Sequence, residues 1–209
     1  MVRPWSSAIR SHRGVLLTRD NARGLAQRID KLVGHQVLVG IPAEHTLREM
    51  AEHKGPITNA ALGYIQEFGS PARNIPARPW LIPGVRESDD KVRKRFEIAA
   101  KRALDGDTQA VEVQLGRAGM DAVSTVRERM TRGIPPPLSE RTLQARARRK
   151  RGSGVRIRKG ATAELQARAA GNLPSVEFAK PLIDTGKLLQ AIDYLVVATS
   201  GRVRPRVIK

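Results

Sequence analysis

Residues 108–131 carry a single apolar stripe, Val111, Leu115, Ala118, Ala122, Val126 and Met130, at helical spacing. A stripe sustained over about five turns predicts one long helix that must lay that face on something. Gly133-Ile134-Pro135-Pro136-Pro137 ends it sharply, because proline removes a donor and clashes with the preceding turn. The partners for this face are short. Residues 36–41 (QVLVGI) and 194–198 (YLVVA) are rich in β-branched residues and read as strands. Residues 202–208 (RVRPRVI) alternate as an edge strand would. The fold class predicted is therefore α+β: a small, mostly antiparallel sheet packed by one long helix and shorter helices.

Leu25, Ile29 and Leu32 predict a short helix over 21–33, capped by Asp20 or Asn21 and stopped by Gly34. Residues 60–68 form a second, stopped by Gly69. The prolines of 71–83 predict an extended, rigid connector. Ser88 is placed to cap the helix that follows, with Asp89 and Asp90 in its first turn and a stripe of Val92, Phe96, Ala99 and Ala103. Ser139 caps a short helix running to Arg149, and Asp184 or Thr185 caps a turn over 187–192. Between them, RGSG, KGATA and GNLP make 144–179 read as a flexible basic insertion. The organisation expected is a basic arm over 1–20, a single domain from 21–143 and 180–209, and that insertion.

Charge is segregated along this plan. Residues 1–28 hold six Arg and one acid, Asp20. Residues 141–159 hold nine cations and no acid: Arg141, Arg146, Arg148, Arg149, Lys150, Arg151, Arg156, Arg158 and Lys159. The last eight residues add Arg202, Arg204, Arg206 and Lys209. These three segments account for the whole formal charge of +18, and the other 154 residues are neutral. A charge-balanced body with basic extensions suits a polyanion or an acidic protein face. Base-specific reading lacks a zinc finger, basic zipper or ribonucleoprotein signature. Only Trp5 among seven aromatics lies among cations, which argues against a stacking platform. With no cysteine, disulfide scaffolds, thiolate metal sites and Cys nucleophiles are excluded, and assembly in a reducing cytoplasm is compatible. No run of about 18 apolar residues exists to cross a membrane, and 1–17 lacks the apolar region of a secretion signal.

Catalytic motifs fail on their chemistry. Leu182-Ile183-Asp184-Thr185-Gly186 resembles the aspartic-protease loop, but Lys187 beside it would favour an ionised carboxylate and oppose a shared proton. Thr185-Gly186-Lys187 lacks the earlier glycine and the following Ser/Thr of a phosphate loop. Glu49 and His53, with His45 nearby, lack a third ligand at suitable spacing. No nucleophile, base and orienter belong together, so no enzyme and no cofactor is expected.

Three stretches in order carry a resemblance. They are Leu62-Gly63-Tyr64-Ile65-Gln66-Glu67-Phe68-Gly69 leading to Ile75-Pro76-Ala77-Arg78-Pro79-Trp80-Leu81; Ile134-Pro135-Pro136-Pro137-Leu138-Ser139 with Thr142; and Lys180-Pro181-Leu182-Ile183-Asp184-Thr185-Gly186-Lys187-Leu188. With the long helix between them they resemble the neck, or tail-completion, proteins of long-tailed double-stranded DNA phages. The resemblance covers about 20–143 and 180–198, and departs from the family at about 144–179, where a shorter basic stretch is usual. It implies an α+β structural subunit without cofactor, in a homo-oligomeric ring of six copies around the DNA channel. Its neighbours would be head connector or portal-side proteins and tail terminator or tail-tube proteins. Its place would be the head–tail junction of the virion, after synthesis in the bacterial host cytoplasm.

On this reading the nine cations of 141–159 touch the DNA or clamp an acidic face of an adjoining ring. Pro79 and Trp80 are candidate subunit contacts, core packing being the alternative for Trp80, since an exposed Trp is costly on a monomer. The rival function is a sequence-nonspecific nucleic-acid-binding protein outside any virion.

Overall fold

A computed structural model of the chain describes residues 9–10, 16–17, 24, 26–29, 33–42, 57–149 and 155–198. Within the N-terminal 20 residues, β1 (Ile9–Arg10) and β2 (Leu16–Leu17) pair antiparallel. Residues 26–29 are helical, inside the span expected for the first helix. There follow β3 (His35–Gly40), α1 (Asn59–Phe68), α2 (Leu81–Glu87), α3 (Asp89–Asp105) and α4 (Thr108–Arg132). The chain then forms α5 (Glu140–Ala147), α6 (Val155–Ala169), the single turn α7 (Lys187–Gln190) and β4 (Asp193–Ala198). The strand expected over 202–208 lies outside the described residues, as do His45, Glu49 and His53.

The α+β class expected from the sequence is the class observed. Helix α4 is the axis of the fold, with its first donors capped by the Asp107 side chain, which accepts from the Ala110 N–H at 3.0 Å. Helix α3, β3 and β4 pack against it. The two strands pair antiparallel from His35 opposite Ala198 to Gly40 opposite Asp193. Val37 and Val39 face inward, the first against Ala99, Val111 and Leu115, the second against Trp80, Val126 and Ile192. Tyr194 lies flat on α4 at Gly119, where a Cβ would stand 2.2 Å from the ring. The sheet reaches its helix only because that position has no side chain.

Trp80 is not a surface contact. It is 2% exposed, inside the cluster that includes Val126, Met130, Leu182, Leu188 and Ile192, and its indole N–H donates to the Gly63 carbonyl at 3.1 Å. Core packing is therefore its role, and only its neighbour Pro79 remains exposed.

The proline-rich connector also departs from expectation. After a 3-10 turn at Pro71–Arg73 it is extended only to Trp80, and helix α2 then begins with Pro83 in its first turn. Glu67 explains why a helix can start there. Its buried carboxylate accepts the N–H groups of Trp80 at 2.6 Å, Leu81 at 2.8 Å and Ile82 at 3.0 Å. A helix start leaves four donors without intrahelical partners. Glu67 takes three, and Pro83 has none to satisfy. Ser88 does not cap α3 with its side chain; its hydroxyl donates back to the Val85 carbonyl at 2.6 Å, so that α2 leads directly into α3.

The segment 144–179 is not a loop throughout. Residues 155–169 are helix α6, packed on α5 through Leu138, Leu143, Ala161 and Ala179. Its inward positions include Ala161 and Glu164, 0% and 1% exposed. A charged residue on the buried face hides the helical period from a reading of hydropathy.

Candidate nucleic-acid interface

In its described residues the basic run 141–159 falls on α5, the two residues after it and the first third of α6. Helix α5 begins at Ser139, whose hydroxyl accepts the Thr142 N–H at 3.4 Å. Leu143 and Arg146 form its buried face. Helix α6 approaches closely at Gly160, where a Cβ would lie 2.3 Å from the Phe178 carbonyl oxygen. Helices α5 and α6 pack on each other, so their cations lie close together in the fold.

The nine expected contact residues separate into distinct groups. Arg146 is 6% exposed and turned inward. Its guanidinium donates to the carbonyls of Lys180 at 3.0 Å, Pro181 at 3.1 Å and Ile183 at 3.2 Å, with its Nε 3.5 Å from Asp184. Burial lowers its pKa, Asp184 opposes the shift and Arg149 adds to it. The guanidinium stays charged, as arginine does in proteins. Arg149 makes a two-pronged pair with Asp184, both contacts at 2.7 Å. Asp184 thus serves as an anchor rather than a helix cap. Arg146 is not available to a partner in this arrangement, which corrects its assignment as a contact residue, whereas Arg149 is paired with Asp184 but remains partly exposed.

Arg141, Arg148 and Lys159 are exposed and Arg158 is half-buried, and none of the four side chains has a hydrogen-bond or ion-pair partner among the described residues. Arg141 and Arg148 stand seven residues apart, two turns along one face of α5. Lys150 and Arg151 lie outside the described residues, and of Arg156 only its place in α6 is described. Among the described residues of the run, the accessible cations are these four side chains, on α5, its end and α6.

Behind that surface the scaffold is held by charged groups that sequence reasoning did not single out. Arg78 is 6% exposed and donates through Nε to the Pro136 carbonyl at 2.9 Å and through a terminal nitrogen to that of Pro137 at 3.2 Å. Burial lowers its pKa, and neighbouring Arg146 lowers it further. Glu164 accepts from the Ser175 N–H at 2.7 Å, the Ser175 hydroxyl at 2.8 Å and Arg168 at 3.0 Å. Burial alone would raise its pKa; the Ser175 and Arg168 hydrogen bonds outweigh that and hold it below the ordinary carboxylate value. The only sequence signals were an arginine fixed between Pro76 and Pro79, and the i,i+4 spacing of Glu164 and Arg168.

Chemically, the surface can hold anions by charge. Among the described residues no three His, Asp or Glu gather as a metal-ligand set, and no helix is long and apolar enough to cross a membrane. Comparison with protein-family models, with curated proteins and with solved structures returned no match.

Proposed function

We propose that this chain is a structural subunit of the head–tail interface of a long-tailed double-stranded DNA phage. In this reading six copies form a ring around the DNA channel and join the head connector to the tail terminator or tail tube. The observation that carries it is how the three stretches of the resemblance meet. Arg78 of the first holds carbonyls of the second, at Pro136 and Pro137. Arg146, just beyond the second, holds carbonyls of the third, at Lys180, Pro181 and Ile183. Residues that serve one another's backbone support a scaffold role, with no cofactor and no catalysis. Arg141, Arg148, Arg158 and Lys159 are then the contacts to channel DNA or to an acidic neighbouring ring.

Immunogold electron microscopy on purified particles, and on detached heads and tails, tests the placement. Label confined to the head–tail junction is the expected result. Absence of label from intact particles, heads and tails alike would overturn it. The same four cations would then favour a nonspecific nucleic-acid-binding protein outside the virion.

A further inference from the structure

We propose that the exposed face of α1 is the contact through which one copy of this chain docks on the next, seated in a groove beside α4 and β4. The inference rests on the ring reading above and supplies the subunit contact which that reading leaves unnamed. Helix α1 buries Gly63 and Glu67 on one side. On the other it presents Ala61, Tyr64 and Phe68 at spacings of three and four, with exposed Ile57 just before the Thr58 cap. Tyr64 is 66% and Phe68 55% exposed, and their rings lie against each other, centroids 4.8 Å apart, as one apolar block. The one charged residue of α1 is the buried Glu67, so no charge interrupts the outer face. An uncovered helical stripe of this kind is what a partner's groove takes up.

The chain also carries a groove of matching form. It holds about 520 Å³ and is lined mainly by carbon, with Met120, Val123 and Tyr194 alongside Ser124, Glu128 and Thr131. Met120 is 52% exposed, and methionine adapts to whatever shape is laid against it. From Met120 to Thr131 the groove follows about three turns of α4, and α1, with ten residues, is of nearly the same length. Charge complements the fit. In the groove Glu128 and Asp193 outnumber Arg127. Arg73, just past the C-terminal end of α1, is exposed, and its side chain has no partner among the described residues. Copies that each carry +18 repel one another, so a contact between them needs an uncharged face and an acidic one. Pairing Arg73 with the exposed Glu128 sets the direction. Phe68 then lies towards Thr131, and Ala61, two turns earlier, beside Ser124. Within one chain α1 packs on α7 and over Trp80, whereas the groove belongs to α4 and β4. Stripe and groove are therefore different patches, and the contact is head-to-tail: each copy gives one and receives one, as a ring requires.

The chain has no cysteine, so single ones report contact between copies. Ala61→Cys and Ser124→Cys each replace a small exposed side chain. Mixed in equal amounts under mild oxidation, the two full-length variants form their mixed disulfide about tenfold or more faster than either forms its own dimer. The same margin separates them from a control mixture of Ala61→Cys with Thr162→Cys, an exposed position on α6. Adding Tyr64→Glu and Phe68→Glu to the first variant, or Met120→Glu to the second, returns the rate to that of the control. All these positions are exposed, and unchanged denaturant midpoints verify that the variants fold. Fastest dimerisation of Ala61→Cys alone would overturn the proposal by pairing α1 with α1. A mixed rate no greater than the control would overturn it as well. Sedimentation of the parent chain at the same concentration separates this failure from failure of the ring: a parent that assembles while the mixed rate stays at the control loses only this contact, and a parent that remains a monomer loses both.

Discussion

Around the C-terminal half of α4, Trp80, Val126, Met130 and Ile192 bury carbon against carbon, whereas around α5 and α6 the groups that close the fold are Arg146 and Glu164. Both regions are well buried, but their failure modes differ. An apolar cluster tolerates volume-conserving exchange. A buried arginine bonded to three carbonyls does not, because removing it takes the donor from acceptors that are buried or partly buried. The α5–α6 region therefore gains a more exact geometry at the cost of depending on single side chains.

The largest effect that sharpens this contrast is expected at Arg146. Arg146→Met keeps most of the volume but leaves the carbonyls of Pro181 and Ile183 without their guanidinium donor and that of Lys180 with only the Ile183 N–H at 3.4 Å, a loss of roughly 3–5 kcal/mol. Arg146→Lys recovers little, since an ammonium lacks the planar fork that spans them. Trp80→Phe, in the apolar region, loses one hydrogen bond and some contact area, about 1–2 kcal/mol. Denaturant midpoints at constant slope measure all three. A loss below about 1 kcal/mol for Arg146→Met would remove the distinction between the regions.

The same contrast governs what could be read in advance. The long helix was legible to within a residue, 108–131 expected and Thr108–Arg132 found, because its stripe is unbroken carbon. Helix α6 was not legible. Its buried face carries Glu164, and Gly160, which marks a loop by composition, is there for close approach to Phe178. Likewise α2 was hidden by Pro83, because the carboxylate that makes a start possible comes from Glu67, 13 residues before Trp80. Local pattern reports apolar faces well. It cannot report a side chain whose partner is a distant piece of backbone, and most of the candidate site's scaffold is of that kind.

A smaller effect of the same origin should appear as a pH dependence. Despite its burial, the folded Glu164 carboxyl has its pKa held below the ordinary carboxylate value by the Ser175 and Arg168 hydrogen bonds. Its contribution is therefore fully present above about pH 5 and is lost as pH falls through the folded pKa. Glu87, held by hydrogen bonds from Arg132 and Arg129 against the opposing effect of burial, acts in the same direction and window. Glu164→Gln is expected to cost about 2–3 kcal/mol at neutral pH. The gap from the parent chain should then narrow as both are titrated from pH 5 downward. Unfolding curves at a series of pH values measure it, and a gap independent of pH would mean that the carboxylate's charge contributes nothing.

The smallest effect on stability is expected where the effect on binding is greatest. Arg141 and Arg146 belong to one helix and one basic run, yet Arg146 is spent on backbone and Arg141 is exposed. Replacing Arg141, Arg148, Arg158 and Lys159 together by Gln should shift stability by no more than about 0.5 kcal/mol per site. Four phosphate contacts release four sets of counterions, so the dependence of log binding constant on log salt should flatten by about 3–4 on duplex DNA. Titrations over a range of salt concentration would measure the slope. An unchanged slope would assign these cations to an acidic protein face instead. A loss of folding in the quadruple variant would break the contrast itself, by showing that exposed and buried members of the run hold the fold in the same way.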